Sequence, residues 1–238
     1  MGENDRMKRP RPLPLRLLRS TQTLLLAGLV GTGLPALAAS YYEDALQRFE
    51  AKDHAGAIIQ LKNALRNEPN KLAIQFLLGR ALQQNGDVLG AEVAYNEALR
   101  LGINRSEVAV PLAQVVIAQG RPREMLSHPQ LQPSGLPPDV LQTLLLLRAG
   151  AQTDLGDSRE ALATIQQARA MNDRRADVWL AEVPVRVRAR QFTEALQAAE
   201  RGVAAAPNDA EAHYVQGSVR HAQGKLDAAL TDYAKALS

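Results

Sequence analysis

The chain has 238 residues, of which 28 are basic and 25 acidic, and its formal net charge is +3. It has no cysteine, which excludes disulfides, thiolate nucleophiles, cysteine-ligated metals and lipid attachment through cysteine. Hydrophobic residues make up 46% of the chain but aromatic residues only 4%, and alanine supplies much of the apolar share. Because alanine is the best helix former, this composition predicts an all-helical protein with small residues where helices meet.

The basic excess lies at the N-terminus. Residues 1–38 carry six basic and two acidic side chains, so residues 39–238 keep 22 basic and 23 acidic ones and a net charge of −1. A body of nearly zero net charge lacks the basic surface that phosphate backbones require. The sequence therefore predicts no nucleic-acid partner.

Residues 1–38 have the three parts of a secretory signal. A basic stretch begins at Met7, an apolar stretch of about 15 residues begins at Leu24, and Ala36-Leu37-Ala38 follows. The small side chains of Ala36 and Ala38 suit a signal peptidase and predict cleavage after Ala38. A retained membrane anchor is the alternative, but a spanning helix needs about 20 apolar residues. We expect export to the periplasm, with no stable membrane span after cleavage.

A 34-residue repeat organises residues 39–238. A column of mostly small residues recurs every 34 positions, with one spacing of 36: Ala57, Ala91, Met125, Ala161, Ala195 and Ala229. A second column lies seven residues later on the same helix face: Ala64, Ala98, Ala168, Gly202 and Ala236. A third column lies five residues before the first and holds glycine in four copies: Gly86, Gly120, Gly156 and Gly224. Glycine there predicts a left-handed residue that ends one helix, although Lys52 and Arg190 break this column.

Each unit is therefore predicted to be a helix, a tight turn and a second helix. Two helices approach closely only where side chains are small, and one hairpin cannot bury its apolar face alone, so the units should stack into a solenoid. We assign repeats 1–3 to residues 39–126 and repeats 4–6 to residues 139–238. Between them, residues 127–138 hold four prolines, so the helix that starts at Pro122 should end before Pro129.

A second irregular segment covers residues 178–190. Its valines at 183, 185 and 187 alternate as in a strand, and Pro184 would remove one helical hydrogen bond. Trp179 and Ala195 nevertheless keep the repeat register. The register favours a kinked helix over a strand.

No residue pattern for catalysis is present: there is no His-x-x-x-His pair, nucleotide-binding glycine loop or nucleophile elbow. The histidines are too widely spaced for a metal site and are expected to be solvated: His54, His128, His213 and His221. Several acids are expected at surface-facing places: Glu92, Glu97, Glu194 and Glu200. Those that lie three or four residues from a basic side chain are expected to form ordinary helix-face pairs. The sequence therefore predicts a protein that is not an enzyme and has no metal or cofactor.

The columns resemble those of the tetratricopeptide repeat (TPR). The second copy carries Gly79, Leu82, Gly86, Ala91, Tyr95 and Ala98, and the fifth carries Trp179, Phe192, Ala195 and Pro207. The resemblance implies an all-α TPR solenoid, a right-handed superhelix of antiparallel helix pairs with about six repeats. In this family the first helices line a concave groove that binds peptides. By register, the resemblance places these residues in the groove: Phe76, Arg80, Gln83, Val110, Gln114, Ile117, Arg188, Tyr214 and His221.

Residues 40–126 also resemble a narrower group, the exported TPR proteins of exosortase/PEP-CTERM systems (the PrsT type). The matching words are Tyr41-Tyr42-Glu43-Asp44-Ala45, the run from Ile59 to Leu65, and Leu101-Gly102. Those systems sort proteins at the Gram-negative envelope and are associated with exopolysaccharide production. Members are commonly lipoproteins with longer arrays, whereas this chain has no cysteine to acylate.

The resemblance implies a non-catalytic periplasmic scaffold that binds protein or peptide segments in the cell envelope. A general envelope scaffold for secretion or polysaccharide export, and a regulatory arm of an enzyme, are the alternatives. The last helix ends near Ser238 with no polar capping helix after it. We therefore expect apolar side chains of the sixth repeat to promote fraying or self-association, unless the chain is part of a longer array.

Overall fold

The protein is described by a computed structural model over residues 33–68 and 71–238, with side chains from Ala39 onward. Over these residues it contains thirteen α-helices and no strand. The helices are α1 Gly33–Glu50, α2 His54–Asn67, α3 Leu72–Gln84, α4 Val88–Arg100, α5 Arg105–Ala118, α6 Pro122–Ser127, α7 Pro138–Asp154, α8 Ser158–Met171, α9 Ala176–Leu180, α10 Glu182–Arg188, α11 Phe192–Ala205, α12 Ala210–Ala222 and α13 Leu226–Ala236.

The helices form six pairs, which confirms the expected solenoid of about six repeats. We call the first element of each pair helix A (α1, α3, α5, α7, α9 with α10, and α12) and the second helix B (α2, α4, α6, α8, α11 and α13). In pairs two to six, helices A and B pack together, and each helix B from α2 to α11 also contacts helix A of the next pair. Residues Leu34–Ser238 form one compact unit through these contacts.

The turn between helices A and B is left-handed in every pair. The four column glycines have φ between +70° and +87°, as the sequence predicts. Lys52 and Arg190, which break the glycine column, adopt the same conformation with φ of 61° and 57°. The repeat therefore fixes the backbone geometry at this position, and any residue there must adopt a left-handed backbone conformation.

Small residues lie where helices A and B cross, and their size is matched to the partner across the crossing. Gly79 faces the fully buried ring of Tyr95, and a Cβ added to Gly79 would lie 2.6 Å from that ring. Gly217 faces Tyr233 in the same way, at 2.8 Å. In the fifth pair the sizes are reversed, because Val183 occupies the glycine position and buried Ala199 the tyrosine position. The crossing thus keeps a nearly constant volume.

The two irregular segments behave as predicted. Helix α6 begins at Pro122 and ends at Ser127, and a 3-10 turn at Pro129–Leu131 follows. Carbonyl groups of this turn and its flanks accept hydrogen bonds from arginines on both neighbouring helices A: Arg105 donates to Gln132 O, and Arg148 donates to Leu126 O and Leu131 O. The segment around Pro184 is helical and interrupted at Ala181, between α9 and α10, so the kinked helix is confirmed and the strand is wrong.

The predicted export signal falls almost wholly outside the described residues. Only the backbone of residues 33–38 is described, and it belongs to α1. Cleavage after Ala38 stays a prediction. Among the described helices, none combines the length and the apolar character needed to cross a membrane.

Candidate functional site

An apolar concavity lies on the helix A side of repeats 4–6, and we call it the C-terminal groove. Its volume is about 580 Å³. It is lined by Thr143, Leu146, Leu147, Asp177, Leu180, Ala181, Val183, Pro184, Val187, Glu211, Val215, Ser218 and Val219. Most of these side chains are aliphatic. Ala181 lies between α9 and α10, and all the others belong to α7, α9, α10 and α12.

The repeat register explains why these side chains meet. Leu147, Ala181 and Val215 are separated by 34 residues each, so they occupy the same place on three successive helices A. Pro184 and Ser218 share a second such place, where α7 has Gly150. A Cβ added to Gly150 would contact nothing within 4 Å. Gly150 is exposed and adds no side chain at this place.

Pro184 also shapes the groove. Proline has no N–H and its ring collides with the carbonyl four residues earlier, which is that of Leu180. The helix is interrupted there, between Leu180 and Glu182. Both Leu180 and Pro184 line the groove, so the interruption occurs on its surface.

One edge of the C-terminal groove is polar. Thr143, Asp177 and Glu211 share one register position near the starts of their helices. Arg175 donates to Asp177 Oδ1 over 3.0 Å and to Thr143 Oγ1 over 3.2 Å, and so joins two helices at this edge. The hydrogen bond to Asp177 raises the pKa of Arg175, and the charge of nearby Asp139 adds to this effect.

A second concavity, the N-terminal groove, lies on helices A of repeats 1–3 and has a volume of about 400 Å³. It is lined by Tyr42, Leu46, Leu72, Ala73, Phe76, Leu77, Arg80, Gly102, Ile103, Asn104 and Glu107. The guanidinium of Arg80 lies 4.8 Å from the centre of the Phe49 ring. This groove is more polar than the C-terminal one, since charged Arg80 occupies the position that Pro184 holds in repeat 5.

The nine groove residues expected from the sequence are spread over the array. Phe76 and Arg80 line the N-terminal groove. Gln83 donates to Gln114 Oε1 over 3.0 Å and accepts from the Tyr95 hydroxyl at 2.6 Å. Four of the others are accounted for individually: Val110 is half-buried, Ile117 packs on the core, Arg188 donates to Thr153 O, and His221 is exposed. Tyr214 is 59% exposed, and its ring centre lies 5.6 Å from that of Tyr233. Their role in binding stays a prediction.

None of these nine residues lines the C-terminal groove, so sequence reasoning missed its lining. The signal was present in the register. The positions that gave Phe76, Arg80 and Gln83 in repeat 2 correspond in repeat 5 to Leu180, Pro184 and Val187. Carrying each groove position through all six copies would have shown an apolar run in the C-terminal half.

A polar cleft of about 230 Å³ lies on another side of repeats 4 and 5. Trp179 lies between two guanidinium groups there, 4.0 Å from that of Arg169 and 4.8 Å from that of Arg201. Its Nε1 donates to Asp173 O over 2.7 Å. Buried Glu182 pairs with Arg169 and with Arg186. These groups hold repeat 4 against repeat 5.

Two sequence expectations about polar residues need correction. His213 is buried and not solvated, because its Nε2 lies 2.8 Å from the Pro207 carbonyl under the last pair. Glu92 is half-buried and not at the surface, because it bridges to Arg121 and Gln119 of the next repeat. Glu97 does pair along its helix, with Arg100. Among the described residues, no three acidic or histidine side chains come together as metal ligands.

Comparisons with known proteins agree with this architecture. A family model of the tetratricopeptide repeat matches residues 49–106 and 180–238. No curated protein matches the sequence significantly. PilW, a widely conserved type IV pilus biogenesis factor, is similar in structure with a TM-score of 0.67 and 15% identity, over 83% of this chain and 91% of PilW.

Two further solved structures are similar at low identity. PilF of Pseudomonas aeruginosa has a TM-score of 0.58 and 16% identity, over 84% of this chain and 90% of PilF. YrrB, a TPR protein with an unusual peptide-binding site, has a TM-score of 0.57 and 16% identity, over 79% of this chain and 92% of YrrB. At such identities the likeness concerns the fold. The described part of the chain therefore has the fold of an all-α solenoid of tetratricopeptide repeats.

Proposed function

We propose that this protein is a non-catalytic adaptor that binds an apolar peptide segment of a partner protein in the C-terminal groove. The observation that carries the proposal is the groove itself, which has a volume of about 580 Å³ and a largely aliphatic lining on three successive helices A. Sites that bind small ligands or peptide side chains commonly enclose about 300–1,000 Å³. When a ligand covers the aliphatic side chains that face water on these three adjacent helices, the free energy of the system falls.

The expected affinity is modest. Covering aliphatic surface contributes about 25 cal/mol per Å². Ordering a flexible peptide and losing its free motion offset much of that gain. A dissociation constant in the micromolar range follows. Binding should depend only weakly on salt, because the body of the chain has almost no net charge and few counterions are released.

We place this adaptor in the cell envelope of a Gram-negative bacterium, as part of exosortase/PEP-CTERM sorting linked to exopolysaccharide production. The support is the signal-like pattern of residues 1–38 and the PrsT-like words within residues 40–126. A general envelope scaffold for secretion is the second candidate. Its support is the fold shared with PilW, which acts in type IV pilus biogenesis.

Selection of peptides tests the binding site. A random dodecapeptide display library is selected on the full chain, on Gly150→Phe and on Ala163→Phe. The first variant adds a ring to α7 at the register position that Pro184 holds in the next repeat, where a Cβ meets no neighbour. The second adds the same ring to an exposed position of α8, on the helix B side of the same repeat. Selected peptides are then titrated by fluorescence anisotropy.

We expect apolar peptides that lose about tenfold or more in affinity on Gly150→Phe. Ala163→Phe should bind them like the parent chain. Gly150→Phe should not melt earlier, since glycine is the poorer helix former, and Ala163→Phe should lose only about 0.5 kcal/mol of helix propensity. A labelled DNA duplex serves as the comparison ligand. Tight, salt-sensitive duplex binding, or peptides that ignore Gly150→Phe, would contradict the proposal.

A further inference from the structure

We infer that the ligand of the C-terminal groove carries a lysine or arginine beside its apolar residues, and that Glu211 binds this cation. The inference rests on the proposed function, because it names the chemistry of the segment that the groove takes. It is carried by the arrangement of charges along the polar edge of the groove.

Glu211 is the free negative charge at that edge. It is the second residue of α12 and lines the groove. Among the described residues it makes no ion pair. Asp177, at the same register position of the preceding repeat, has both carboxylate oxygens bound by Arg175. Thr143, at this position one repeat earlier, is neutral. A cation of the ligand can therefore pair with the Glu211 carboxylate on α12.

The apolar lining makes this charge selective. A peptide that fills the groove displaces water from the edge next to Val215 and Ser218, which also line the groove. An apolar or acidic residue at that place would desolvate Glu211 without a partner, which is unfavourable. A basic residue keeps the carboxylate paired. The same group thus favours one class of ligand and disfavours others.

A structural role for Glu211 has to be separated from this one. Acids in the first turn of a helix stabilise it by interacting with the helix dipole. Glu211 lies in the first turn of α12, and Glu160 lies in the first turn of α8. Glu160 is exposed and does not line the groove. Glu160→Gln therefore removes a first-turn charge of the same kind without changing the groove edge.

The experiment uses the random dodecapeptide library on four full-length proteins: the parent chain, Glu211→Gln, Glu160→Gln and Gly150→Phe. The readout is the frequency of lysine and arginine against aspartate and glutamate in selected peptides. One selected peptide is then resynthesised with its basic residue changed to glutamine, and both forms are titrated at low and high salt.

We expect basic residues to be enriched on the parent chain and on Glu160→Gln, and this enrichment to disappear on Glu211→Gln. The basic peptide should bind the parent about fivefold more tightly than its glutamine form, as for a single ion pair. On Glu211→Gln the two forms should bind equally. High salt should reduce the fivefold difference.

The possible results separate the two proposals. Apolar peptides that are sensitive to Gly150→Phe but show no basic preference would overturn the inference and leave the proposed function standing. A basic preference that persists on Glu211→Gln would also overturn it. If no selected peptide is sensitive to Gly150→Phe, the groove is not the binding site and both proposals fail.

Discussion

Repeats 2 and 3 bury apolar residues at two positions of helix A that face neighbouring helices, and we call these two positions the seam. In repeats 5 and 6 the seam holds charged or polar residues that are buried or half-buried. On helix A of repeat 2, Leu78 and Leu82 face neighbouring helices and are buried, as are Leu112 and Val116 in repeat 3. The same two positions hold Glu182 and Arg186 in repeat 5 and Gln216 and Arg220 in repeat 6. The last pair adds Asp232, which is 1% exposed and accepts from Arg220 over 2.8 Å and 2.9 Å.

The groove side shows the opposite trend. Arg80 and Gln114 occupy one groove position in repeats 2 and 3, where repeats 5 and 6 have Pro184 and Ser218. The N-terminal half therefore has the more apolar seam and the more polar groove, and the C-terminal half has the more polar seam and the more apolar groove. The left-handed turn is common to both halves, and the glycine–tyrosine crossing of repeat 2 recurs in repeat 6.

The difference teaches which positions the repeat constrains. A close helix crossing needs small residues, and a left-handed turn favours glycine, so those columns persist. The seam and groove positions are less restricted. The apolar core reflects this: one continuous cluster extends from Ala45 to Ala151, whereas the buried residues around Val183 and Val219 form a small separate cluster. Ion pairs hold the C-terminal repeats together where aliphatic packing is thin.

Replacing the ion pair of Arg220 and Asp232 in repeat 6 should give the largest effect on stability. Arg220→Leu removes the partner of buried Asp232, and we expect it to reduce the free energy of unfolding by about 3–5 kcal/mol. Arg220→Leu combined with Asp232→Ala recreates the Leu82 and Ala94 pair of repeat 2. Replacing a buried ion pair by apolar residues is often neutral or stabilising by about 1–4 kcal/mol. Urea denaturation followed by circular dichroism measures both variants.

The matched control is Arg220→Leu combined with Glu200→Gln. Glu200 is a weaker partner of Arg220, at 3.6 Å, and is half exposed. This second change should not rescue the first. If Arg220→Leu alone unfolds like the parent chain, the ion pair does not stabilise the sixth repeat, and the two halves do not differ in how they are held together.

The sequence was sufficient for the fold because the conserved geometry allows few residue types. Ala57, Ala91 and Ala161 are fully buried, and the four column glycines are left-handed, as predicted. At each of these positions, the size of the residue or its backbone freedom alone predicts the local structure. Pro184 also indicated an irregular helix, since proline removes one helical hydrogen bond, although Pro111 lies inside α5 without interrupting it.

The site was less accessible to sequence reasoning. The sequence did not indicate Leu146 and Val187 as groove residues, because aliphatic residues on a helix usually belong to the core. Their exposure depends on which part of the helix the neighbouring repeats leave uncovered. Glu182 and Asp232 were missed for a similar reason. Their cations, Arg169 and Arg220, are 13 and 12 residues away on other helices, outside the spacing of helix-face pairs. Such pairs become visible only once the helices are placed.

Glycine substitutions at the crossings should give intermediate effects and compare the halves directly. Gly79→Ala places a Cβ 2.6 Å from the ring of fully buried Tyr95, which cannot move, and we expect a loss of about 1–3 kcal/mol. Gly217→Ala meets Tyr233 at 2.8 Å, but this ring is partly exposed and can shift. We expect the smaller loss there.

Gly150→Ala is the control for this series, because its Cβ meets nothing within 4 Å. It should stabilise α7 by up to about 1 kcal/mol through helix propensity alone. Thermal melting of the three variants measures the order. Equal losses for Gly79→Ala and Gly217→Ala would mean that the two crossings are equally rigid, contrary to the comparison.

The smallest effect concerns the turn, the feature that both halves share. Arg190 has φ of 57° in the turn of repeat 5, where four other repeats have glycine and repeat 1 has Lys52. A left-handed residue with a side chain is strained by about 1–2 kcal/mol, and glycine relieves this strain but makes the unfolded chain more flexible. We therefore expect Arg190→Gly to raise stability by about 0.5–1 kcal/mol.

Arg190→Ala removes the charge and keeps the strain, so it should not stabilise the protein. The reverse change, Gly156→Ala, introduces the strain in repeat 4 and should lower the melting temperature. If Arg190→Gly and Arg190→Ala melt together, the benefit comes from removing a charge, and the turn geometry is not what limits the stability of repeat 5.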